Sequence, residues 1–118
     1  MAELPIIRTA IPKRRYQLGS CAVTVLGEIE SGDGRDYRFI TAFVEQGATA
    51  PKLFVCSERN RDPSVQGSHS LRVVNEVMSE VLGTDDGWRD LDGFCEQALS
   101  LGRQVLGIPD REQAVRTL

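Results

Sequence analysis

The stretch LRVVNEVMSEVLG, Leu71–Gly83, decides the fold class because the spacing of apolar residues changes there. Upstream of it, apolar residues recur with the period of two that is typical of strands. Within it they recur at spacings of three and four, which predicts an amphipathic helix that ends at Gly83. The predicted apolar stripe consists of Leu71, Val74, Val77, Met78, Val81 and Leu82.

The residues before this stretch predict an antiparallel meander between positions 16 and 58. The segment 16–30 is rich in β-branched residues, and four of its side chains are expected on one face: Cys21, Val23, Val25 and Ile29. After the turn sequence SGDGRD, the segment 37–47 is expected to place another four on one face: Tyr37, Phe39, Thr41 and Phe43. A third strand covers 52–58, and LPIIRTAI at 4–11 predicts a fourth strand, confined to an edge by the flanking prolines.

A second helix is predicted after Gly83. Apolar residues recur at helical spacing over about five turns, and Gly107 and Pro109 end the pattern. Its members are Trp88, Leu91, Phe94, Cys95, Ala98, Leu99, Gly102, Val105 and Leu106. Residues 109–118 are expected to add a short helix or to fray.

The sequence therefore predicts one α+β domain over residues 1–118, with 1–12 as an edge strand or a disordered segment. It would have an antiparallel meander sheet of three or four strands, followed by two C-terminal amphipathic helices packed on one face. Two helices cover only one face, whereas the strands look apolar on both, and a monomer rarely leaves such a patch bare. The expected cover is either the N-terminal segment or a second copy of the chain. A homodimer through sheet faces or edges is favoured, with an interface that includes Phe39, Ile40, Phe43 and Val44.

Composition excludes several classes of protein. With 41% hydrophobic and 26% charged residues, the chain resembles an average globular domain. It has no apolar run near the roughly 20 residues of a membrane-spanning helix and no signal-peptide pattern, so a cytoplasmic protein without a membrane role is expected. The cysteines at 21, 56 and 95 are too widely spaced for a zinc site and are expected to be reduced and buried. Neither a metal nor a cofactor is predicted.

The most informative candidate site is NRDPSVQGSHSLR, Asn60–Arg72, which contains the only histidine of the chain. A helix beginning at Ser68 or Ser70 would offer free backbone N–H groups, which nearby cationic side chains would complete as a pocket for phosphate or carboxylate. The alternative is a helix cap beside a surface loop, with a solvated histidine. The predicted anion-binding residues are Arg59, Arg61, Ser68, His69, Ser70 and Arg72.

No nucleophile motif is present, so no catalytic residue is assigned, and a non-catalytic binding or protein-interaction module is the leading expectation. Its partner, another protein or a small anion, would meet either the apolar sheet face or the loop 59–72. One alternative is a small enzyme that uses His69 with a neighbouring cysteine or serine. Another is a single-stranded nucleic-acid-binding domain that uses the basic segment 12–16 and aromatic residues of the sheet.

Overall fold

The structure, a computed structural model, describes residues 4–118 as a seven-stranded antiparallel sheet with one α-helix packed on one face. Residues 1–3 of the predicted edge or disordered segment lie outside the described residues. The sheet order is β6-β5-β4-β3-β2-β1-β7, a meander to which the last strand returns at the far edge. The strands are β1 (Ile7–Leu18), β2 (Cys21–Ser31), β3 (Tyr37–Glu45), β4 (Leu53–Arg59), β5 (His69–Val74), β6 (Ser79–Asp85) and β7 (Val115–Arg116). A 3₁₀ turn (Asp86–Arg89) precedes the helix α1 (Leu91–Leu106), and no described helix is long and apolar enough to cross a membrane.

The predicted fold is wrong in its strand count and in its first helix. Residues 71–82 form the hairpin of β5 and β6, and the sheet has seven strands instead of three or four. The Asn75 side chain closes this hairpin by accepting hydrogen bonds from the N–H groups of Val77 and Met78, each at 2.9 Å. The helical spacing was misleading because β5 is buried on both faces, so that apolar residues on opposite faces fell three residues apart.

The second predicted helix exists as α1. The side chain of Asp90 caps its start by accepting from Gly93 N–H at 3.3 Å, and Gly107 ends it in the left-handed region at φ 66°. Trp88, the first residue of the predicted stripe, lies in the preceding 3₁₀ turn. The tail that was expected to be helical or frayed instead pairs β7 with Tyr16 and Gln17 of β1.

The helix lies very close to the sheet at Gly102. A Cβ at this position would collide with Cζ of Phe43, whose side chain is fully buried in β3. About two helical turns before Gly102, the ring of Phe94 stacks on the ring of Phe39, with the ring centroids 5.3 Å apart. The absence of a side chain at Gly102 therefore sets how deeply the helix sits on β3.

Two β-bulges interrupt the expected alternation of side chains along β2 and β3. The predicted faces of Ile29 and Tyr37 are therefore wrong. The register shifts between Tyr37 and Phe39, and Glu28 in β2 has a φ of 47°. As a result, Tyr37 and Ile29 pack in the core on the face opposite α1, whereas Phe39 and Val25 remain under the helix. The second-face core consists of Tyr37, Ile40, Phe54, Cys56 and Val74, with Ile7, Ile29 and Ala42 packed against it.

The second face is thus covered largely from within one chain. Phe39, Ile40 and Phe43 are buried inside the protein, and Val44 is half-buried. Only Val44 of these four predicted interface residues offers accessible side-chain surface to a second copy. The homodimer stays a prediction.

Replacing Gly102 with alanine tests the close contact between helix and sheet. The collision with Phe43 should cost on the order of 3 kcal/mol, the upper end for overpacking, against about 1 kcal/mol gained in helix propensity. We expect Gly102→Ala to lower the free energy of unfolding by about 2 kcal/mol, measured by urea denaturation. The added change Phe43→Leu makes room, so the double variant should be less destabilised than the sum of the two single variants. Strict additivity would contradict the contact.

Candidate functional site

The structure divides the predicted anion-binding residues between the two faces of the sheet. No helix begins at Ser68 or Ser70, because residues 69–74 form β5, so the predicted helix N-terminus is not part of this site. Arg59 and His69 are cross-strand partners on the face that carries α1. Ser68 stays beside them, with its Oγ 2.8 Å from His69 Nδ1, whereas Arg72 faces the other side with Cys56.

Ser70 alternates with His69 along β5 and therefore also lies on the face opposite α1, across from Glu58. Arg61 follows the end of β4 and forms an exposed ion pair with Asp36 at 3.4 Å. The predicted set thus separates into a group around His69 and a pair of residues behind the sheet.

Two arginines that the sequence did not indicate join His69. Arg38 Nε donates to the backbone oxygen of Arg89 at 3.2 Å, and the Arg38 guanidinium stands 5.0 Å from the ring centroid of Phe39. This contact brings β3 and the 3₁₀ turn together on the side of the sheet that bears His69. We call Arg38, Arg59, His69 and Arg89 the arginine site.

The arginine site has more positive charge than its neighbours neutralise. Within residues 4–118, none of its three guanidinium groups forms an ion pair with a carboxylate. Nearby acids have other partners: Asp36 pairs with Arg61, and Glu28 pairs with Lys13 at 2.6 Å. Asp85, opposite His69 in β6, accepts a hydrogen bond from Gly87 N–H at 2.8 Å.

The surroundings of His69 lower its pKa, and the excess charge is one of the causes. Burial lowers the pKa of His69, and the positive charges of Arg38, Arg89 and Arg59 lower it further, while Asp36 opposes them. His69 is only 9% exposed. Because the usual pKa of histidine is about 6.5, this lowering keeps the ring neutral at pH 7.

Two grooves meet at Arg59. One, of about 370 Å³, is lined by Glu28, Ile29, Asp36, Tyr37, Arg38, Arg59 and His69. The other, of about 650 Å³, lies in the β4–β5 loop between Arg59 and Gly67. Asn60 shapes this loop by donating from Nδ2 to the backbone oxygens of Val65 and Gly67 at 3.0 and 2.9 Å. A ligand in either groove would contact the unpaired charge of Arg59.

Neither Arg38 nor Arg89 gave a sequence signal. Arg38 occupies the register shift of β3, and the local sequence shows no glycine or proline that marks the bulge. Arg89 is positioned by the 3₁₀ turn, which buried Ser57 anchors by donating from Oγ to the backbone oxygen of Trp88 at 2.6 Å. Both depend on contacts between segments distant in the chain.

Arg72 belongs to a separate polar network behind the sheet. It is 6% exposed, and its Nη2 lies 2.8 Å from Oε1 of Glu58, whose Oε2 accepts from Arg35 at 3.1 Å. Arg72 also donates to the hydroxyl of Tyr37 at 3.3 Å, and that hydroxyl donates to Asp33 at 2.7 Å. With its charge matched internally, Arg72 holds the second face together and leaves little for an external anion.

The catalytic alternative has one contact in its favour, the hydrogen bond between Ser68 and His69. In the described part of the chain, however, no carboxylate hydrogen-bonds to the His69 ring to orient it. The three cysteines are free and buried, as expected, and burial raises the pKa of Cys56 to about 12. Burial also raises the pKa of Cys21 and Cys95, so these thiols are poor nucleophiles at neutral pH.

The aromatic residues that the nucleic-acid alternative requires for base stacking are not on the surface. Tyr37, Phe39 and Phe43 are all buried, so their rings are not accessible to bases. In the basic segment, Lys13 and Arg14 already form ion pairs with Glu28 and Asp92. Among residues 4–118 no cluster of three metal-ligating side chains is found either.

Comparison with known proteins found no matching family model, no similar curated protein and no similar solved structure. The function is therefore argued from the geometry and charge of the site.

Replacing Glu58 tests the network behind the sheet. In Glu58→Ala, the buried Arg72 guanidinium loses its counter-charge, so we expect the free energy of unfolding to fall by about 3–5 kcal/mol in urea denaturation. The double change Glu58→Leu with Arg72→Leu removes both charges and should recover most of this loss. Equal destabilisation by the single and double variants would show that Glu58 does not act by neutralising Arg72.

The single histidine makes the electrostatics of the arginine site directly measurable by NMR titration. We expect His69 to titrate below about 6.5 and Arg38→Gln to raise its pKa. Because the unfolded chain then protonates first, the contribution of His69 to stability should be lost as pH falls from about 6.5 through the folded pKa. Arg111→Gln removes the same charge from the exposed C-terminal tail and should leave the titration unchanged. An equal shift in both variants would contradict a local effect.

Proposed function

We propose that the protein is a small, non-catalytic binding module that recognises an anionic group at the arginine site. One observation carries the proposal: Arg38 and Arg59 line a groove together with the only histidine of the chain, and the charge of Arg89 also acts on that histidine. Among residues 4–118, none of these three guanidinium groups has a carboxylate partner. Guanidinium groups match the planar donor geometry that phosphate and carboxylate prefer. An anion at this position would replace the missing counter-charge.

The proposed recognition includes uptake of a proton. An anion that binds beside His69 favours the charged imidazolium and raises its pKa, so that the ring adds a donor to those of Arg38 and Arg59. Affinity should therefore increase as pH falls from neutral toward the pKa of the free protein.

The burial of both sheet faces supports the arginine site as the place where a partner binds. Both faces are largely occupied from within the chain, by α1 on one side and by the β1–β2 end on the other. The predicted homodimer is not required, because all four residues of the arginine site belong to one chain. The free cysteines support a reducing compartment such as the cytoplasm as the location of this module.

Titration with inorganic phosphate at constant ionic strength tests the proposal, with the His69 ring signals as the readout. We expect a saturable shift for the natural protein, and an affinity weakened about tenfold in Arg59→Gln, since a hydrogen bond to a charged group is lost. Arg111→Gln is the matched control and should bind as the natural protein does. If sodium chloride produces the same shift, or if Arg59→Gln binds phosphate equally well, the arginine site is not an anion site.

A further inference from the structure

The sheet ends in an open edge at β6. This strand pairs with β5 on one side, and within residues 4–118 no strand pairs with its other side. Its exposed side chains include apolar ones: Val81 is 61% and Leu82 44% exposed, and Val77 in the preceding turn is 84% exposed. An edge of this kind presents unpaired backbone N–H and C=O groups beside apolar side chains.

The opposite edge of the sheet has features that protect it from pairing with another strand. Strand β1 carries Pro12, several shifts of register against β2, and the short strand β7 paired at its end. These features prevent continuous pairing with another strand. Strand β6 contains no proline, lysine or arginine, and its one register shift leaves Ser79–Val81 and Gly83–Asp85 paired regularly with β5.

The charge of the β6 edge restricts what can bind there. Between positions 73 and 88 the chain has four acidic residues and no basic one: Glu76, Glu80, Asp85 and Asp86. Pairing of two β6 edges from two copies would bring eight carboxylates together, which is unfavourable. The basic β1 edge of a second copy has the right sign of charge, but Pro12 and its register shifts prevent extended pairing.

We propose that β6 is a docking edge for an extended segment of another protein in which basic residues alternate with apolar ones. The segment adds an eighth strand to the sheet, its backbone pairing with Ser79–Asp85. Its apolar side chains cover Val81 and Leu82, and its basic side chains face Glu80 and Asp85. This edge is separate in function from the arginine site, which takes an anion.

Two fluorescein-labelled peptides of seven residues test the proposal by fluorescence anisotropy, one alternating lysine with valine and one alternating glutamate with valine. We expect the basic peptide to bind and the acidic peptide to fail. Glu80→Lys should weaken binding of the basic peptide on the order of tenfold, because an attraction becomes a repulsion. Glu96→Lys makes the same change on the exposed face of α1 and should bind as the natural protein does.

Amide hydrogen exchange locates the contact, since added protection of Ser79–Asp85 is expected only if the peptide pairs with this strand. Arg59→Gln should bind the peptide normally, so that failure of the phosphate site and failure of the docking edge are distinguishable. The proposal is overturned if both peptides bind equally, if neither binds, or if protection appears elsewhere. Sedimentation showing a dimer that Glu80→Lys alters would also overturn it, because the occupant would then be a second copy.

Discussion

The contact between Gly102 of α1 and the ring of Phe43 is the constraint on which the remaining structure depends. Because no side chain separates them, the helix lies directly on β3, and Phe94 reaches the ring of Phe39. The depth of the helix in turn fixes the 3₁₀ turn before it, which Ser57 holds against the sheet. The position of the helix, the aromatic stacking and the path of the chain from β6 into α1 therefore depend on one another.

The packing of α1 and the 3₁₀ turn on the sheet also positions the residues of the arginine site. The 3₁₀ turn brings the backbone oxygen of Arg89 to the side chain of Arg38, and both then lie on the side of the sheet that presents His69 and Arg59. The charges of Arg38, Arg59 and Arg89, from three separate segments, thereby all act on His69, and none of the three has a carboxylate partner among the described residues. The helix core thus positions this cationic surface, although none of its apolar side chains belongs to that surface.

Arginine residues on the two faces of the sheet differ in whether a carboxylate neutralises them. Behind the sheet, Arg72 is buried and matched by Glu58, which is what an apolar environment requires of a charge. On the helix side, Arg38, Arg59 and Arg89 have no such partners within residues 4–118. The contrast is the reason for assigning a structural role to Arg72 and a binding role to the arginine site, although sequence proximity had grouped Arg72 with Arg59 and His69.

The sequence by itself determined the local features of this protein: the antiparallel strands between 16 and 58, the helix ending at Gly107 and the buried thiols. It also selected His69 and Arg59 as candidate site residues. Each follows from periodicity or chemistry over a few neighbouring residues. Only the tertiary structure decided that residues 71–82 form a hairpin, because strands buried on both faces lose the alternation that identifies them. It also decided which side chains share a face, since bulges at Glu28 and between Tyr37 and Phe39 reverse the alternation. Arg38 and Arg89 joined the site for the same reason, namely that long-range packing places side chains that local patterns leave independent.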